Sequence, residues 1–69
     1  MKKEIIIEGM SCNHCKGRVE KALNGLDGIE SAEVILRENK AVITTNQDIH
    51  DHVLKEAVEK AGYDVVSIQ

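Results

Sequence analysis

The hydrophobic pattern changes period repeatedly within 69 residues, and those changes leave few folds open to the chain. Glu4 to Glu8 alternates around Ile5, Ile6 and Ile7, β-branched residues that favour a strand with Ile5 and Ile7 on one face. From Cys15 the period becomes helical. Val19, Ala22, Leu23 and Leu26 fall at i, i+3, i+4 and i+7, and Lys16, Arg18, Glu20 and Lys21 take the wet face. Ser11 or Asn13 caps this helix, and Gly25 and Gly28 end it. Ala32, Val34 and Leu36 then alternate with Ser31, Glu33 and Arg37 as a second strand. Glu38-Asn39-Lys40 is a polar turn, and Ala41 to Thr45 completes a hairpin. Leu54, Ala57, Val58 and Ala61 restore the helical spacing up to Gly62, and Tyr63 to Ile68 supplies a last strand.

The order β-α-β-β-α-β predicts an α+β, ferredoxin-like sandwich: one four-stranded antiparallel sheet with both helices on one face. A right-handed crossover makes strands one and two parallel, with strand three antiparallel between them. Three connections then share one end of the sheet: Gly9 to His14, Glu38 to Lys40, and Gly62 to Tyr63. Asn24 to Gly28 and Asn46 to His50 lie at the other end, roughly 15–20 Å away at ~3.3 Å per strand residue.

No linker or low-complexity stretch divides the chain, so residues 1–69 read as a single domain. Apolar residues make up 42% of it, enough for a small core and too many for a disordered chain. Tyr63 is the one aromatic and the net charge is −3, so neither stacking platforms nor a phosphate-binding surface is present and no nucleic-acid role is expected. Ile5-Ile6-Ile7 is the longest of the strongly apolar runs, far short of a membrane span of ~20 residues or a leader core of about 7–15. A cytosolic protein with no membrane segment is the expectation.

Cys12 and Cys15 form one C-x-x-C pair, which in a reducing compartment reads as metal-binding or catalytic before it reads as a structural disulfide. Both fall where a strand hands over to a helix. Unpaired amides and the positive end of the helix dipole favour thiolates there, with Lys16 and Arg18 adding positive charge. Two such sulfurs suit Cu(I) or another thiophilic ion and do not supply the four ligands of structural Zn(II). A thioredoxin-like redox site shares the spacing, but the chain has no Trp and no Pro. A zinc finger would need His50 and His52, whose H-x-H spacing is wrong and which map to the far end of the sheet.

Gly9-Met10-Ser11-Cys12-Asn13-His14-Cys15 ahead of a helix resembles the G-M-x-C-x-x-C motif of the heavy-metal-associated domain family, and more closely its bacterial copper chaperones of the CopZ type. The resemblance covers essentially the whole chain, including Ala61-Gly62-Tyr63. It implies Cu(I) held by Cys12 and Cys15 and passed by thiolate exchange to the N-terminal domain of a P-type copper ATPase, with no enzymatic activity. It also implies that Met10 turns inward beneath the loop as an anchor. His14 reads either as a solvated residue adjusting local charge or as a third ligand in a metal-bridged dimer, the apo form being a monomer. Tyr63 either shields the metal and donates its O–H toward a thiolate or simply covers a thin core. Lys16 and Arg18, with Lys21 and with Lys40 and Lys60 near the same end, read either as a wet helix face or as a patch docking an acidic partner.

Some relatives also feed a copper-responsive repressor. Other readings stay open: an N-terminal domain excised from a copper ATPase, or a carrier of another soft metal such as Hg(II). Met1 just ahead of strand one and a stop after strand four favour the free carrier. Thr45 stands where the family often has an aromatic, which puts packing at that strand end in question. His50 and His52 are assigned no role.

Overall fold

The computed structural model describes residues 2–11 and 13–69. The elements follow the expected order: β1 (Lys2–Glu8), α1 (Asn13–Asn24), β2 (Ile29–Ile35), β3 (Lys40–Thr45), α2 (Asp51–Lys60) and β4 (Asp64–Ile68). The sheet runs β2-β3-β1-β4 with every neighbouring pair antiparallel, so β3 lies between β1 and β2.

Alternation decides which side of each strand meets the helices. Ile5, Ile7, Val34, Ala41 and Ile43 point into the core, where Val19 and Leu23 of α1 and Leu54 and Val58 of α2 cover them. Burying each of the larger aliphatic side chains contributes about 1.5–3 kcal/mol, and no residue in this set is more than 2% exposed. Thr45 is buried too, and among the described residues no buried side-chain oxygen or nitrogen lacks a hydrogen-bond partner. The strand end therefore closes around a paired hydroxyl without an aromatic.

Besides shifts of one or two residues at other strand ends, the structure differs from the sequence reading in three places. Helix α1 begins at Asn13, so this residue is in its first turn and is not the cap. Strand β2 stops at Ile35. Leu36 and Arg37 belong to a 3-10 turn, Leu36–Glu38, which Asn39 closes in the left-handed region (φ 52°) with its N–H on the Leu36 carbonyl at 3.0 Å. Asn tolerates that backbone better than most residues, and the turn it closes is not extended, so the strand does not run on through it.

Glu20 is the third difference. It is half-buried, and its Oε2 accepts the Val34 N–H at 2.9 Å. Because β2 is an edge strand, this amide faces outward with no neighbouring strand to take it. A carboxylate from α1 satisfies it and ties the helix to the sheet edge.

The loops sort to the two ends as the topology requires. The Ile7 N–H meets the Asn39 carbonyl at 2.8 Å, which joins the end of β1 to the hairpin turn. At the opposite end the Asn46 N–H meets the Gly28 carbonyl at 2.9 Å. No helix is long and apolar enough to cross a membrane among the described residues.

Candidate metal centre

Two glycines build the end of the sheet that carries the thiol motif. Gly9 follows β1 with φ +97°, a conformation that L side chains rarely adopt, and a Cβ there would come within 3.5 Å of the Tyr63 ring. The reversal there sends Met10 into the core, where it is 7% exposed. Gly62, at φ +101°, ends α2 in a Schellman motif. Its N–H meets the Glu59 carbonyl at 3.0 Å and the Tyr63 N–H meets that of Val58 at 3.3 Å. That turn delivers the Tyr63 ring, 8% exposed, over the first turn of α1.

Cys15 is the third residue of α1 and is half-buried against the core. The Tyr63 hydroxyl donates to its sulfur. This bond, then burial and the negative charge at Cys15, hold the phenol above its usual pKa of 10.0, and the guanidinium of Arg18 beside the same oxygen pulls the other way. A donor hydroxyl, a nearby cation and the first turn of a helix all favour a thiolate at Cys15. Arg18 enters this group because it lies three residues after Cys15 on the same helical face, a spacing that could have placed it there from sequence alone.

Cys12 lies outside the described residues. His14 is exposed, and among the described residues no three His, Cys, Asp or Glu side chains converge on one point. The structure thus brings together Cys15, Tyr63 and Arg18, holds Met10 in the core beneath, and leaves His14 at the surface.

The basic residues do not form one patch. Arg18, Lys21 and Lys60 rim an open groove of about 500 Å³ between α1 and α2, floored by Ala22, Leu26, Ala57 and Ala61. Lys16 is half-buried and lines a separate groove beside Glu33 to Arg37. Residues two apart on a helix project in nearly opposite directions, so Lys16 and Arg18 cannot serve a single flat surface. Lys40 is withdrawn as well: its ammonium pairs with Glu4 at 3.0 Å and Glu38 at 3.2 Å, and those bonds raise its pKa above 10.5.

Comparison with known proteins bears on the same residues. The heavy-metal-associated domain model matches residues 4–64. The copper chaperone CopZ of Staphylococcus aureus is 52% identical over 69 residues, covering 96% of this chain and 100% of the relative. A solved CopZ metallochaperone superposes with a TM-score of 0.90 at 40% identity, covering 96% of this chain and all of that one. The Cu(I)-loaded N-terminal domain of a potential copper-translocating P-type ATPase from Bacillus subtilis superposes at 0.83 with 37% identity, covering 99% and 89%.

Proposed function

The chain belongs to the heavy-metal-associated domain family, and from that premise we infer that it is a cytosolic metallochaperone carrying Cu(I) on Cys12 and Cys15. Its recipient on this reading is the N-terminal domain of a P-type copper ATPase. The observation that carries the inference is Cys15 in the first turn of α1 beneath the hydroxyl of Tyr63, with Arg18 beside it. Relatives named for copper support the choice of metal. Cu(I) is the oxidation state that soft thiolates select.

Two thiolates around one Cu(I) carry a net charge of −1, and Arg18 offsets part of it. Transfer then proceeds by exchange of ligands. A partner thiolate adds to the copper, one chaperone sulfur leaves and accepts the charge, and the second follows, so no oxidant or reductant is consumed. Tyr63 has a directional part, because its donor stabilises Cys15 as a leaving thiolate once copper moves on. Met10 holds the loop from below and supplies no ligand. The groove rimmed by Arg18, Lys21 and Lys60 gives the positive face that would steer an acidic partner domain. Chemistry of this kind makes the protein a carrier and not an enzyme.

The test is direct transfer. Cu(I)-loaded protein is mixed with an apo copper-ATPase N-terminal domain in the presence of a chelator too weak to strip either one. Appearance of copper on the domain, with none on the chelator, supports the reading. Copper that reaches the domain only by way of the chelator would sink it.

A further inference from the structure

The end of the molecule opposite the thiols carries a second set of metal-ligating side chains. His50 is the residue before α2, with extended backbone (φ −65°, ψ 141°), and His52 is the second residue of the helix. Inside a helix, residues two apart point to different sides. Here the switch from extended to helical backbone brings the rings together, with centroids 5.6 Å apart and planes within 21° of each other. His50 makes no side-chain capping bond to the helix, so its ring does not hold the helix end.

That spacing is close to what an ion requires. Metal–nitrogen bonds of about 2.0–2.1 Å at a tetrahedral angle place two imidazole centroids roughly 5 Å apart. The rings are stacked, so bringing one nitrogen of each onto a common ion takes rotation of the two exposed side chains out of that arrangement.

The surroundings are net acidic. Asp48 and Asp51 line the same groove of about 520 Å³ as the two rings, against the single ammonium of Lys3. Lys3 is itself committed to Asp51 at 2.7 Å and to the Ile49 carbonyl at 3.2 Å. These carboxylates counter the positive end of α2, which alone would disfavour a cation.

We propose that His50 and His52 form a second, labile metal site for a borderline divalent cation such as Ni(II) or Zn(II), remote from the thiol motif. Neutral imidazole suits these ions, whereas Cu(I) is drawn to the thiolates, so the two ends select different metals. No third protein ligand converges among the described residues, so water completes the coordination and exchange is fast.

The test is independent of the copper reading. Cysteines are capped with iodoacetamide, Ni(II) is added, and amide resonances are followed by NMR. The site is supported by paramagnetic broadening centred on residues 48–53 and Lys3. Loss of one of the two ligands, in His50→Ala or in His52→Ala, then weakens uptake about tenfold or more. His14→Ala leaves the uptake unchanged, and both exposed-site variants keep the parent's circular dichroism. Broadening centred on His14, broadening scattered over surface carboxylates, uptake that survives in both His50→Ala and His52→Ala, or no response to millimolar Ni(II) would each overturn the proposal.

Discussion

Replacing Leu54 with alanine tests whether the helices and sheet form a packed core that needs no metal. Leu54 is fully buried on α2, an element that carries no cysteine, so the substitution leaves the thiol motif chemically intact. Truncating a buried leucine costs about 2.7–5 kcal/mol, the lost transfer free energy plus a cavity term. A domain of this length is stabilised by about 3.5–10 kcal/mol at 0.05–0.15 kcal/mol per residue, so one side chain accounts for a large fraction of the total. With a urea slope of about 1 kcal/mol per molar for a chain this small, the midpoint should fall by about 3 M. The assay is urea unfolding of apo protein in reductant, followed by far-ultraviolet circular dichroism. Copper should raise the variant's midpoint by mass action to the extent that it prefers the folded state. A drop of less than about 1 M, or an apo parent with no cooperative transition, would refute the packed metal-free core.

Other outcomes follow from single contacts. Glu20→Ala should cost about 1.5 kcal/mol, since it strips a charged acceptor from the Val34 amide on an edge strand, and Glu20→Gln should cost less. Equal urea midpoints for parent and both variants would show that the contact contributes nothing. Tyr63 is the one tyrosine and there is no Trp, so phenolate absorbance reports this residue alone. Its midpoint should lie above 10.0 in apo protein and move down in Cys15→Ser, because the bond to Cys15 is the largest cause of the shift. A pKa raised by folding means that this group's contribution to stability is complete below the ordinary tyrosine value. It is lost as pH climbs through the folded one, so urea midpoints should decline across that alkaline window.

Element order and the two-ended arrangement of loops were readable because period and punctuation change together along the chain. Ile5 and Ile7, Leu23, Leu54 and the glycines at 9 and 62 each announce a face or a turn, and the structure uses them so. What the pattern hides is side-chain reach. Glu20 belongs to the polar face by spacing, yet an edge-strand amide draws its carboxylate inward. Lys16 and Arg18 look like one basic cluster in a row of letters, although helical geometry sends them to separate grooves. Lys40 reads as available charge until Glu38 of its own turn and Glu4 of the neighbouring strand take it. At the metal centre the Cys12–Cys15 motif and Tyr63 were visible in sequence. The i,i+3 spacing puts Arg18 beside Cys15, but its contact with the Tyr63 oxygen needed the fold, because Tyr63 arrives from the far end of the chain.

The central claim is that two thiolates make this protein selective for Cu(I). Its most direct test is a competition titration of fully reduced protein against a Cu(I) chelator of known affinity, run beside Zn(II) and repeated on Cys12→Ser and Cys15→Ser. Uptake of about one tightly held Cu(I) per chain, lost in both variants and not displaced by zinc, is the expected result. Tight copper binding that survives either substitution, or a preference for zinc, would contradict the account.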